Sequence, residues 1–108
     1  MTQINSVSVQ TLQSWIKENK AIIIDVREPF EYKDGHIKGS INLPLSTILV
    51  EIGKASIAED KKVVIQCRVG ARSLLACQLL IEEGFKYDIY NLEGGLNAWR
   101  DAGYSVNL

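Results

Sequence analysis

The sequence has few of the residues on which several protein classes depend. It contains two cysteines, one histidine and two prolines among 108 residues. Two cysteines are too few for the disulfide framework of a small secreted domain, and one histidine adds too little for a closed zinc site. Two prolines and eight glycines exclude a collagen-like or disordered chain. These absences predict a reduced, cytoplasmic protein with no protein-bound metal.

An excess of one charge sign is also lacking, because 12 Lys and Arg oppose 13 Asp and Glu for a net charge of −1. Without a basic excess, we expect no binding to nucleic acid or to an anionic membrane surface. Apolar runs such as Ala21–Ile24 are far below the roughly 20 residues that a membrane-spanning helix needs. Residues Met1–Ser6 have neither the cationic nor the apolar region of a signal peptide.

The chain does have the size and pattern of one α/β domain, which we expect to cover residues 1–108. Its apolar runs on consecutive positions favour strands that are covered on both faces, as in a parallel sheet. Strands separated by helices imply a parallel sheet with helices on both faces. The pattern predicts strands over residues 21–26, 40–43, 62–66 and 87–92, and helices over residues 8–19, 29–33, 46–57, 73–83 and 95–102.

The segment with the most reactive side chains follows the strand predicted over residues 62–66. That strand delivers Cys67 to the carboxyl edge of the sheet, where open α/β sheets bind their ligands. Five loop residues, 68–72, then lead to a helix predicted to begin near Ser73. The start of a helix offers unpaired N–H groups and a partial positive charge, which favour an anion. This placement makes Cys67 a candidate nucleophile.

The composition of the loop strengthens that interpretation. Gly70 permits a tight turn whose N–H groups point inward, and Arg68 and Arg72 add two positive charges. Each of these influences lowers the pKa of a thiol, and the thiolate is the reactive form. The alternative is that Cys67 is a small buried hydrophobic residue, as free cysteines often are. Cys77 lies among leucines in the middle of a predicted helix, and we interpret it as a packing residue.

Five motifs lie in a fixed order between about residues 5 and 104. They are Asp25–Glu28, Glu31–Tyr32 followed by Gly35–Pro44, Cys67–Ser73, Leu92–Gly95, and Trp99. In this order they resemble the motifs of single-domain rhodaneses, the thiosulfate sulfurtransferase family. The Gly-His-Ile segment and the cysteine loop are specific when they occur together, whereas Cys-x-x-Gly alone is common.

The resemblance implies a rhodanese-like α/β fold with a five-stranded parallel sheet flanked by helices. It also implies a ping-pong reaction in which Cys67 takes the outer sulfur of thiosulfate, becomes a persulfide and passes that sulfur to a thiophilic acceptor. The partners would be a small anionic sulfur donor and a thiol or protein acceptor, without a cofactor. The implied substrate-binding residues are those of the loop: Arg68, Val69, Gly70, Ala71, Arg72 and Ser73.

Three other motif residues bear on the site. Asp25 lies at a strand end, where we expect it to bond loop N–H groups or Arg27 and to support the site. Arg27 either lines the pocket or pairs with an adjacent carboxylate. Some two-domain rhodaneses have a substrate-binding arginine where Glu31 aligns, so the donor here would be held by Arg68, Arg72 and the backbone, and its identity stays open.

Three alternatives remain at this stage. Related phosphatases place five residues between the cysteine and an arginine, whereas four residues separate Cys67 from Arg72, a loop that suits a single sulfur atom. A non-catalytic rhodanese-type binding module is the second alternative, although such modules often lack the cysteine. A redox sensor is the third, if Cys67 and Cys77 can meet. The sequence does not indicate the oligomeric state.

Overall fold

A sheet of five parallel strands forms the centre of the molecule in the computed structural model, which describes residues 4–108. In chain order the strands are β1 (Asn5–Val7), β2 (Ala21–Asp25), β3 (Ile41–Asn42), β4 (Lys62–Gln66) and β5 (Asp88–Leu92). Across the sheet their order is β1-β5-β4-β2-β3, and each neighbouring pair is parallel. The predicted parallel α/β fold is confirmed, with β4 at the middle of the sheet.

Within residues 4–108, four α-helices connect consecutive strands and a fifth follows β5. They are α1 (Val9–Lys17), α2 (Pro29–Lys33), α3 (Ile48–Glu51), α4 (Ala71–Glu82) and α5 (Gly95–Asp101). Ser8 caps α1 as predicted, because its side-chain oxygen accepts a hydrogen bond from the Thr11 N–H at 3.1 Å. Along residues 4–108, none of the helices is long and apolar enough to cross a membrane.

The strands are apolar on consecutive positions because both faces of the sheet are covered. Val63 and Ile65 of β4 pack into one buried cluster with residues of α3 and α4, including Ile48 and Leu80. Val64 points to the other face, into a second cluster with residues of α1 and α5. The sheet is therefore covered on both faces, and the site lies at the carboxyl end of β4, which is buried from Val63 to Gln66.

The helix before β4 and the first strand differ from the sequence-based expectation. The helix predicted over residues 46–57 is broken into α3 and two flanking 3₁₀ turns, Leu45–Thr47 and Ile52–Lys54. Gly53 lies in the second turn, and its low helix propensity explains why a longer helix does not form there. Strand β1 was not identified from the pattern, because Asn5 and Ser6 are exposed and only Val7 is buried.

Candidate active site

Cys67 lies directly after β4, at the carboxyl edge of the sheet, and is 1% exposed. Helix α4 begins at Ala71 rather than near Ser73, so the connecting loop has three residues and Arg72 lies in the first helical turn. Gly70 precedes the helix with φ of 110°, a left-handed conformation that glycine adopts without a steric penalty. This tight connection curls the chain around the cysteine sulfur.

Hydrogen-bond donors converge on the Sγ atom of Cys67. The backbone N–H groups of Gly70 and Ser73 donate to Sγ at 3.1 and 3.4 Å, and the Ser73 hydroxyl oxygen lies 3.3 Å away. Burial alone would raise the pKa of this thiol. The Ser73 hydroxyl and the N–H groups of Ser73, Gly70 and Val69 outweigh burial, so the pKa of Cys67 is lowered. The geometry favours the thiolate.

Asn91 contacts the Ser73 hydroxyl, and it was not identified from the sequence. Its Oδ1 accepts a hydrogen bond from Ser73 Oγ at 2.5 Å and so competes with Cys67 Sγ for the one hydroxyl proton, and its Nδ2 donates to the carbonyl of Gly70 at 3.3 Å. Asn91 is on β5, the neighbour of β4, and lies opposite Ile65 in the sheet register. A polar residue near the carboxyl end of a strand adjacent to the cysteine strand was the signal that could have indicated it.

Two carbonyl groups at the start of the loop accept hydrogen bonds from α5. The N–H groups of Leu96 and Asn97 donate to the carbonyls of Cys67 and Arg68 at 2.8 and 3.0 Å. The buried Gln66 side chain donates a further bond to the Cys67 carbonyl at 2.9 Å. Because these carbonyls point away from the sulfur toward α5, the loop N–H groups are left to face Sγ. Gln66 was also missed, since a polar residue ending a strand is common.

Arg68 of the loop and Arg72 of α4 bind one carboxylate. Arg72 donates to both carboxylate oxygens of Glu31 at 2.7 and 3.0 Å, and Arg68 donates to one of them at 3.1 Å. The Arg72 hydrogen bonds are the main cause that lowers the pKa of Glu31 to about 2, against an opposing effect of burial. Glu31 belongs to the second sequence motif, and its pairing with both arginines was not predicted from the sequence.

Asp25 and Arg27 form a buried ion pair beside the site, one of the two arrangements expected for each. Arg27 donates to Asp25 through its backbone N–H at 3.0 Å and through its guanidinium at 2.8 Å. The same guanidinium donates to the Gly35 carbonyl at 2.8 Å, which ties the segment after α2 to the end of β2. The hydrogen bonds of this pair therefore join the end of β2 to the segment after α2 and do not reach the cysteine loop.

Cys77 lies on the inner face of α4 and is fully buried. Burial, with a smaller contribution from nearby Cys67, raises the pKa of Cys77 to about 12. The two cysteines thus have opposite acid–base character within one apolar cluster. Cys77 has the environment of a packing residue.

Comparisons with known proteins agree with this architecture. The protein-family model for the rhodanese-like domain matches residues 8–102 of this chain. Thiosulfate sulfurtransferase GlpE of Shewanella oneidensis is 34% identical over 94% of this chain and 98% of its own length. A sulfurtransferase of Allochromatium vinosum is 33% identical over 95% and 94% of the two chains.

A solved structure is similar over nearly the whole fold. The crystal structure of a rhodanese-related protein from Thermoplasma volcanium superposes with a TM-score of 0.83 at 36% identity, covering 96% of this chain and 98% of that one. The parallel sheet, the cysteine loop and these matches all indicate the same family. The chain belongs to the rhodanese-like family and is homologous to thiosulfate sulfurtransferases.

Proposed function

We propose that this protein is a sulfurtransferase that carries a sulfane sulfur as a persulfide on Cys67. One observation carries the proposal: Cys67 Sγ receives backbone N–H bonds from Gly70 and Ser73 and lies beside the Ser73 hydroxyl. Donors fixed around a sulfur atom stabilise its anionic form without reorganisation during the reaction. They would favour both the attacking thiolate and the persulfide anion that replaces it.

In the first half-reaction, the Cys67 thiolate attacks the outer sulfur of thiosulfate. A new S–S bond forms, the S–S bond of the donor breaks, and sulfite leaves with the electron pair of that bond. The protein is left with a persulfide anion on Cys67. A polysulfide would react in the same way, with a shorter polysulfide as the leaving group.

In the second half-reaction, a thiophilic acceptor attacks the outer sulfur of the persulfide. Cyanide gives thiocyanate, a thiol gives a new persulfide, and in each case the Cys67 thiolate is restored. The sulfur atom supplies the chemistry, so the mechanism requires no external cofactor. The partners are a small sulfur donor and a thiol or protein acceptor.

The six residues after the cysteine have different roles in the proposed reaction. Backbone N–H groups of Val69, Gly70 and Ser73 stabilise the sulfur anion, while Arg68 and Arg72 provide positive charge at the mouth of the site. Gly70 and Ala71 allow the chain to turn into α4 at this short distance. Asp25 and Arg27 support the strand end from outside the loop.

Several features favour this reaction over the alternatives. The loop from Cys67 to Arg72 is one residue shorter than that of the related phosphatases, and the position of their arginine is occupied here by Ser73. The high pKa of Cys77 disfavours the thiolate needed for a disulfide with Cys67. A binding module would have no need for donors arranged around a cysteine sulfur. The cytoplasmic location stays a prediction.

Steady-state formation of thiocyanate from thiosulfate and cyanide tests the proposal. Wild-type protein is expected to give parallel double-reciprocal lines, the pattern of a ping-pong mechanism. Cys67→Ser should abolish turnover, and the matched variant Cys77→Ala should retain it. Turnover by Cys67→Ser at the wild-type rate would overturn the proposal. Absent wild-type turnover with either thiosulfate or polysulfide would favour the binding module.

A further inference from the structure

The carboxylate of Glu31 faces the cysteine loop and contacts Arg68 and Arg72, the two residues that form the mouth of the site. Glu31 lies in the short helix α2, and its side chain is 10% exposed. It accepts two bonds from the Arg72 guanidinium and one from that of Arg68. The paired N–H groups of Arg72 are therefore already occupied by a planar anion, which is the interaction that they would otherwise offer to a sulfonate.

Glu31 is held in this position and stays charged. The backbone N–H of Glu28 donates to its Oε1 at 3.1 Å as part of a capping box at the start of α2. Its pKa of about 2 keeps it ionised throughout the neutral range. Because one negative charge opposes those of Arg68 and Arg72, these three side chains present a net charge of +1 instead of +2.

We propose that Glu31 tunes the choice of sulfur donor by charge, because it lowers the rate with the dianion thiosulfate more than the rate with donors that carry a single negative charge, such as alkyl persulfides. The inference rests on the proposed function and adds a substrate class to it. A fixed negative charge repels a dianion about twice as strongly as a monoanion at the same distance. Thiosulfate must also compete with Glu31 for the arginines, whereas an alkyl persulfide has no sulfonate group to place there.

The two donors undergo the same transfer and differ in the leaving group. With an alkyl persulfide, the Cys67 thiolate attacks the outer sulfur, that sulfur bonds to Cys67, and an alkanethiolate departs with the electron pair of the broken S–S bond. With thiosulfate, the departing group is sulfite, which carries two negative charges and three oxygens. A charge at the mouth of the site therefore changes the ratio of the two rates rather than the chemistry on Cys67.

The test measures the second-order rate constant for sulfur loading onto Cys67, by intact mass, with thiosulfate and with 2-hydroxyethyl persulfide. Glu31→Gln removes the charge and keeps the shape and the capping geometry. Glu82→Gln is the matched control, because Glu82 is exposed at the far end of α4. We expect the thiosulfate-to-persulfide rate ratio to rise about tenfold in Glu31→Gln and to stay unchanged in Glu82→Gln.

The outcomes separate this inference from the proposed function. An unchanged ratio in Glu31→Gln, with wild-type protein that loads sulfur normally, would overturn the charge selection and leave the sulfurtransferase intact. An equal loss of rate for both donors would show that Glu31 only positions the loop, which would also overturn it. If wild-type Cys67 loads sulfur from neither donor, the proposed function itself fails.

Discussion

At the residue scale, the reactivity of Cys67 depends on hydrogen-bond donors more than on the arginines beside it. The Ser73 hydroxyl and three backbone N–H groups lower the pKa of Cys67, whereas Arg68 and Arg72 are bound to Glu31. The sequence predicted the cysteine and its loop, because a strand end, a glycine and a helix start are local signals. It could not predict that Asn91 touches Ser73, since that contact depends on the neighbouring strand.

Replacing Ser73 by alanine removes one donor from the sulfur and leaves the backbone N–H groups in place. The pKa of Cys67 should rise, because the thiolate loses a hydrogen-bond donor, and a hydrogen bond to a charged group contributes about 1.5–3 kcal/mol. The rate of iodoacetamide alkylation of Cys67 against pH measures this as a midpoint displaced to higher pH. Ser14→Ala, on α1, is the control. An unmoved midpoint would mean that the backbone alone sets the acidity of Cys67.

At the scale of elements, α5 fixes the shape of the cysteine loop by close contact. A Cβ atom on Gly95 would lie 2.5 Å from the Cys67 carbonyl oxygen and 2.6 Å from the carbonyl carbon of Arg68. The start of α5 can therefore approach the loop only without a side chain, which allows Leu96 and Asn97 to bond the loop carbonyls. This approach joins the last helix to the loop that surrounds the Cys67 sulfur.

Gly95→Ala should destabilise the protein more than Gly84→Ala does. Both glycines have positive φ, 57° and 82°, but nothing lies within 4 Å of the Cβ position at Gly84. The conformational penalty alone should cost Gly84→Ala about 1 kcal/mol, and backbone displacement should cost Gly95→Ala about 1–3 kcal/mol more. Urea unfolding measures both free energies. Equal losses would contradict the close packing of α5 on the loop.

The elements also mark the limit of prediction from sequence. Helix α2 was predicted with its observed bounds, because Pro29 favours its first turn and Gly35 follows its end. The start of α4 was placed two residues late, since Arg68 and Arg72 were both assigned to the loop while the left-handed Gly70 begins the helix earlier. Local sequence signals therefore predicted that each helix is present. The tight turn at Gly70 determined where α4 begins.

At the scale of the whole molecule, the sheet separates two apolar clusters and holds the site at its carboxyl edge. Cys67 and Cys77 belong to the same cluster, which also contains Val63 and Ile65 of the central strand. One cysteine adjoins the exposed loop residues Arg68 and Val69, and the other is fully buried. The reactivity of Cys67 therefore depends on the loop at the carboxyl edge of the sheet, whereas the reactivity of Cys77 depends on the buried core.

Cys77 should become reactive only when the whole domain unfolds. Its burial and its pKa of about 12 leave almost no accessible thiolate at neutral pH. In Cys67→Ser, alkylation of Cys77 should therefore be slow in buffer and should accelerate with urea in parallel with global unfolding. Mass spectrometry of iodoacetamide-treated protein measures the rate. Rapid alkylation in buffer would contradict the burial of Cys77 on the inner face of α4.

The intact mass of the reduced protein after brief incubation with thiosulfate or polysulfide tests the central claim most directly. The account predicts a gain of about 32 Da, the mass of the one sulfur atom held in a covalent intermediate. The gain should be removed by cyanide or a thiol and should be absent from Cys67→Ser. A wild-type protein whose Cys67 alkylates readily but gains no sulfur from either donor would contradict the sulfurtransferase mechanism.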